Sequence, residues 1–331
     1  MRRRTGDDGA RRYADVRLRQ AAKFDERRPS PDVAARLTGM SLNVGDEMMR
    51  LSGVLRHAST GKWVRAKLGG PLVVDSRAAL LLWEPRRIVP TYAVPDKDVR
   101  AELVPVGPAA DSDVPVLHPG IPFAVHSTPG QPYDVHVGHD VRERAAFRPG
   151  DADLAGHVAF DFDAFDWTEE DEPLFAHPRD PFSRVDARRS SRHVRIERDG
   201  VLLAESHTPT LVFETKLCPR FYLPREDLKA EVLPSDMVTA CPYKGRATYL
   251  SFAVGVNLAW TYPDPLPEAS PLAGLVAFFD EVVDVTVDGV ARDRPDSPVA
   301  RIMKEEFGVS AQTRPDGSHA PHRDRGHPVR G

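Results

Sequence analysis

Cysteine is almost missing from this chain of 331 residues, which has Cys218 and Cys241 and no others. Two thiols cannot build a disulfide framework or a four-cysteine zinc site, so the chain reads as one of a reducing, cytoplasmic compartment. Long apolar runs are missing too. The longest, residues 78–83, falls far short of the roughly 20 residues that cross a bilayer, and the start lacks the apolar stretch of a secretion signal. Neither sign of charge dominates: 45 Lys and Arg face 49 Asp and Glu, which argues against nucleic acid as a partner. There is no Gly-rich phosphate loop leading from a strand into a helix and no Gly-x-Ser-x-Gly elbow. Nor is there a pair of aspartates with the Gly-Ser partner that templated nucleotidyl transfer uses to hold Mg²⁺. The sequence therefore names no cofactor, and it leaves the oligomeric state open.

Proline is abundant instead, with 31 residues spread along the chain. Such spacing interrupts helices and favours short strands joined by turns, so the predicted fold class is mainly β, a β-rich α+β protein. The ends differ from the middle. Residues 2–28 carry nine arginines and one lysine against five acids, with few large apolar groups to offset the entropy of ordering them. Residues 1–60 are expected to be a mobile basic arm, with a helix over 42–57 capped by Ser41. Residues 292–331 are expected to be a mostly disordered polar tail, with a helical turn over 302–307. His319, His322 and His327 in that tail read as solvated residues and not as metal ligands.

An internal repeat organises the middle. Residues 64–76 lie over 194–206 at an offset of 130, which continues through Leu81 over Leu211, Glu84 over Glu214 and Tyr92 over Tyr222. Farther on, Leu-Ala-Gly-His-Val-Ala-Phe at 154–160 lies over Leu-Ala-Gly-Leu-Val-Ala-Phe at 272–278. The expected organisation is a first, divergent repeat at 61–167, a linker at 168–191 and a second repeat at 192–291. Asp199-Gly200 marks a hairpin turn in the second copy, and Gly69-Gly70 marks one in the first. The linker is acidic at its start, with seven acids in residues 161–172, and then rich in proline and arginine.

The densest polar and aromatic cluster is Cys-Pro-Tyr-Lys-Gly-Arg-Ala-Thr-Tyr-Leu-Ser at 241–251. Pro242 and Gly245 bracket a tight turn that would present Tyr243 and Lys244 rigidly. Lys244, Arg246 and, from a neighbouring strand, Arg195 offer donors to a carboxylate or phosphate. Tyr222, Tyr243 and Tyr249 could wall a planar ligand, and Glu214 could take a proton or pair with Lys216. The bland alternative places Tyr243 and Tyr249 in the core and leaves Lys244 as a surface ammonium paired with Glu214. Cys241 invites a nucleophile reading, but a packed structural thiol is the expectation. In the first copy His-Ser-Thr-Pro-Gly at 126–130 is aligned with Cys-Pro-Tyr-Lys-Gly at 241–245, so that copy keeps a glycine and loses the thiol, tyrosine and lysine. His136 and His139 have metal-like spacing, but i and i+3 on a strand face opposite sides, and no metal site is predicted.

With Arg195, Glu214 and Pro-Arg-Phe-Tyr-Leu-Pro at 219–224, the Cys-Pro-Tyr-Lys-Gly-x-Ala-x-Tyr-x-Ser string resembles the domain-of-unknown-function 427 family. The resemblance is weak over 62–165 and strong over 192–290. It implies a compact, tent-shaped β module in a bacterial protein that carries the module in tandem. Some members bear a nucleotidyltransferase-like label, which the absent Mg²⁺-binding pattern does not support. Three readings of function stand: a second repeat that binds a small anionic or planar ligand, an enzyme using Cys241 or Glu214, and a structural or protein-interaction tandem.

Overall fold

The computed structural model describes residues 41, 43–107, 116–296 and 299–301. The chain divides into two compact units, Met1–Met49 and Arg50–Gly331. Residues 1–40 of the expected arm, the helical turn at 302–307 and the tail histidines lie outside the described residues. Helix α1 (Val44–Leu51) is shorter than expected. Its first amides are capped by the Asn43 side chain, which accepts from Gly45 and Asp46, in place of Ser41. It ends before Gly53, and residues 56 and 57 enter a strand.

The first half of the second unit comprises β1 (Arg56–Ser59), β2 (Val64–Lys67), β3 (Leu72–Ser76), β4 (Leu80–Trp83), β5 (Thr91–Pro95), β6 (Glu102–Pro105), β7 (Gly130–Val137), β8 (Asp140–Pro149), β9 (His157–Phe160), β10 (Asp166–Glu169) and β11 (Glu172–Pro173). The second half comprises β12 (Val185–Arg189), β13 (Val194–Arg198), β14 (Val201–Ser206), β15 (Thr210–Glu214), β16 (Arg220–Leu223), β17 (Leu233–Cys241), β18 (Gly245–Phe252), β19 (Gly255–Thr261), β20 (Val276–Phe278), β21 (Asp284–Val287) and β22 (Val290–Ala291). The protein is mainly β. Each half has a seven-stranded and a four-stranded antiparallel sheet, and the strand orders are the same: β1-β4-β5-β9-β8-β7-β6 with β11-β10-β2-β3, and β12-β15-β16-β20-β19-β18-β17 with β22-β21-β13-β14.

Alternation builds the cores. In β13, Val194, Ile196 and Arg198 are buried while Arg195 and Glu197 are not, as expected for a sheet with one face packed. In the first half the layers meet through Tyr92 and Trp167, with ring centroids 4.8 Å apart. Asp199 and Gly200 both take positive φ, 49° and 77°, the conformation that lets a two-residue turn join β13 to β14.

The segment read as a linker is partly sheet. Strand β11 and the end of β10 close the first four-stranded sheet, and β12 forms the edge of the second seven-stranded sheet. Its proline and charge content hid these strands because edge strands tolerate both. No described helix is long and apolar enough to cross a membrane.

Candidate functional site

Lys244 sits in the turn between β17 and β18, where its backbone amide donates to the Cys241 carbonyl at 3.3 Å. Gly245 has φ 105°, and a Cβ there would come within 3.3 Å of the Asp264 carbonyl oxygen and the Leu266 nitrogen. The turn is therefore clamped against residues 264–266, and glycine is needed for the approach. This clamp turns Lys244 inward. It is 6% exposed, its ammonium donates to Glu214 Oε1 at 2.5 Å, and it lies 5.5 Å from the centroid of the Tyr262 ring. Burial alone would lower the Lys244 pKa; the surrounding Tyr222 and Tyr262 hydroxyls and the Glu214 carboxylate reverse this and hold it well above the ordinary value. The pairing with Glu214 is the one the bland alternative expected, but the ammonium is buried and neither projects from the turn nor lies at the surface.

Tyr222 and Tyr249 join this cluster, and burial raises both pKa values. The indole N–H of Trp260 donates to the Tyr222 hydroxyl at 3.3 Å, and Tyr249 shares a 2.9 Å hydrogen bond with Thr239. Cys241 is half-buried against the second core. The other predicted donors are engaged elsewhere. Arg195 lies in the four-stranded sheet beside Glu197 and Glu205, because β13 contributes to that layer. Arg246 packs on the Phe175 ring, and the Tyr243 hydroxyl donates to Asp180 at 2.8 Å.

A small pocket opens beside Lys244, with a cavity volume of about 50 Å³. Glu214, Lys216, Arg220, Lys244, Trp260 and Glu281 line it, and Val299 and Ala300 close one side. Sequence reasoning missed Arg220 and Glu281 here. Arg220 is 8% exposed and donates to Glu281 at 2.8 and 3.1 Å and to the Phe278 carbonyl at 2.7 Å. Nothing in the local pattern joins two residues 61 positions apart; only the β16–β20 pairing does. Among the charged lining residues Lys244 is matched by Glu214 and Arg220 by Glu281, which leaves Lys216 as the surplus cation.

Residues 186–289 match the family described as a domain of unknown function, DUF427. That segment is a DUF427 domain. The match runs from β12 to the turn before β22, and so spans the Cys-Pro-Tyr-Lys-Gly turn and all of the pocket except Val299 and Ala300. No curated protein matches the chain.

The first half has a different arrangement at the position of the DUF427 turn. Leu81 pairs with Tyr92 as Leu211 pairs with Phe221, so Tyr92 is level with Phe221 and not with Tyr222. A one-residue slip in a strand reverses the face. Tyr92 accordingly meets Trp167 of the small sheet, while Tyr222 meets Trp260 of its own seven-stranded sheet. The glycines shift as well. Phe147 pairs with Ala159 and Trp260 with Ala277, while Pro132 faces Phe147 and Tyr249 faces Trp260. Gly130 is thus level with Ala247, not Gly245. The two carboxylates remain equivalent. Glu84 is buried, with the His126 ring 3.0 Å away and the Ser127 amide donating at 2.9 Å, where Glu214 has Lys244.

Tyr243 of the DUF427 turn anchors the segment between the halves. Asp180 receives its hydroxyl proton and returns a backbone N–H at 2.8 Å, and burial together with Asp180 pushes Tyr243 up to about 12. Phe182 of this segment lies 6.3 Å from Trp83 of the first half. Nearby, His177 donates from Nδ1 to the Pro178 carbonyl and faces Tyr243 edge-on. Burial holds its pKa down at about 4. An unfolded imidazole binds a proton near 6.5, so the stability this group contributes is complete above that pH, falls as the pH drops toward 4, and then levels off. Equilibrium unfolding should show a loss of about 2 kcal/mol across that window, after discount for partial exposure, that is missing in His177→Gln. An unchanged slope in the variant would assign the loss to other groups.

Proposed function

We propose that the DUF427 half binds a small carboxylate- or phosphate-bearing ligand in the pocket between the Lys244–Glu214 and Arg220–Glu281 pairs. The observation that carries this reading is the charge pattern of the lining: the two buried cations are paired with carboxylates, and Lys216 at the opening has no ion pair among the described residues. Trp260, also in the lining, packs beneath the Arg220 guanidinium at 5.2 Å and against the Phe279 ring at 4.5 Å, and so gives the pocket a rigid wall. The repeated strand order supports a tandem duplication in which the first half has lost this pocket chemistry to the Glu84–His126 pair. With two unpaired cysteines, a cytoplasmic setting completes the proposal.

Thermal unfolding in the presence of inorganic phosphate, pyrophosphate, citrate and adenosine monophosphate tests it. A ligand at 100 times its Kd should raise apparent stability by about 2.7 kcal/mol. We expect at least one of these anions to stabilise the wild type and to lose that effect in Lys216→Ala, a change at an exposed side chain. No stabilisation by any of them, or a shift that survives in Lys216→Ala, would turn the assignment toward an interaction tandem.

A further inference from the structure

Lys216 is the one lining cation whose amine has no ion pair or hydrogen bond among the described residues. The chain holds eight lysines against thirty-seven arginines, yet two of the eight line this pocket. The backbone at Lys216 is strained as well, a feature its counterpart Arg86 shares in the first half with φ 68°. Lys216 is the third residue of the turn closed by the Leu217 amide on the Glu214 carbonyl at 3.1 Å, with φ 66°. A turn with positive φ there favours glycine, so a lysine costs conformational energy, and strain of this kind gathers at functional positions.

We propose that Lys216 is a carbonyl-reactive amine that condenses with the aldehyde or ketone group of a small anion seated in the same pocket. This rests on the anion-binding reading above. In the step, the nitrogen lone pair adds to the carbonyl carbon and the C=O π pair moves to oxygen. The carbinolamine then releases that oxygen as water with the two protons that the amine gives up, which leaves an imine. Atoms balance, and no oxidant or reductant enters. The surroundings favour the required neutral amine although the side chain is exposed: partial desolvation, and then the positive charge of Arg56, lower the Lys216 pKa against the opposing pull of the Asp180 carboxylate. An arginine, always protonated, would serve an anion equally well but could not attack.

Pyridoxal 5′-phosphate, a planar phosphate-bearing aldehyde, is a suitable probe, with borohydride to reduce the imine to a stable secondary amine and peptide mapping to locate it. We expect Lys216 to be labelled at least tenfold faster than the exposed Lys67, Lys97 and Lys229, with a pH midpoint below the ordinary lysine value of about 10.4. Lys216→Arg should abolish the fast phase while keeping the charge and the fold. Equal labelling of the exposed lysines, or a fast phase that persists in Lys216→Arg, overturns the proposal. Pyridoxine 5′-phosphate, which lacks the carbonyl, separates the two readings. If it stabilises the protein while the aldehyde is not trapped at Lys216, the imine proposal falls and the anion pocket stands. If Lys216 is labelled quickly but equally well by phosphate-free pyridoxal, the reactive amine stands and the anion reading falls.

Discussion

Arg220→Leu is expected to lower the unfolding free energy at pH 7 by about 3–5 kcal/mol, the range for removing one partner of a buried ion pair. The guanidinium holds Glu281 through two hydrogen bonds, contacts Asp280 at 3.4 Å and caps the Phe278 carbonyl. Leucine fills similar space and satisfies none of these groups. Asp280 and Glu281 have side chains only 11% and 5% exposed, so water cannot replace the lost donor. The pH dependence identifies the cause. Burial raises the Asp280 pKa even with Arg220 and Arg292 beside it. A folded-state pKa above the unfolded value means that stability is present below the unfolded pKa and is lost as the pH rises through the folded one. The deficit of Arg220→Leu should therefore be largest at neutral pH and narrow toward pH 4. Urea denaturation at both pH values measures it, and a deficit below about 1 kcal/mol at pH 7 would mean that the pair roughly balances its desolvation cost.

The stability of this region and its proposed ligand chemistry rest on different residues, which affects how any variant is read. Lys244 and Arg220 are both turned inward and committed to carboxylates. A lost ligand effect in a variant of either would report damaged packing as readily as a missing contact. Lys216 is exposed and unpaired among the described residues, so its variants separate binding from folding.

The sheet architecture was legible wherever local chemistry dictated it. Asp199-Gly200 announced its hairpin because both positions need positive φ, and the equivalence of Glu84 and Glu214 followed from the leucines three residues earlier. Matching by residue identity failed where strand register decided the outcome. Tyr92 and Tyr222 look equivalent as letters, but backbone pairing places them one step apart and on opposite faces. The same limit applies to the candidate site. Lys244, Glu214, Tyr222 and Tyr249 come together because the Cys-Pro-Tyr-Lys-Gly turn folds back on its own sheet. Arg195 does not, since its strand belongs to the other layer, a fact carried by long-range pairing with β21. Arg220 and Glu281 were invisible for that reason too.

Lys244→Met tests the second buried pair and should cost about 3 kcal/mol, near the lower end for such a loss because the Glu214 side chain retains 17% exposure. Methionine approximates the lysine stem, so little of the cost comes from a cavity. What remains is a carboxylate facing Tyr222, Tyr262 and Trp260 without its cation. If that stranded charge is the cause, the double variant Lys244→Met with Glu214→Leu should recover to within about 1 kcal/mol of the wild type. The two changes would then show a coupling energy of about 2 kcal/mol plus whatever Glu214→Leu costs alone by stranding the buried Lys244, read from urea denaturation of both singles and the double. If the double variant is instead as unstable as the sum of the singles, Lys244 acts through the geometry of its turn. The Gly245 clamp against residues 264–266 would then be the feature that holds this end of the sheet. The first half argues for the charge. Its equivalent carboxylate, Glu84, also has cationic or N–H partners, His126, Ser127 and Arg87, although the loop that supplies His126 and Ser127 takes a different path and has no lysine. A carboxylate at this position, with its own donor in each half, is what a requirement for charge compensation predicts.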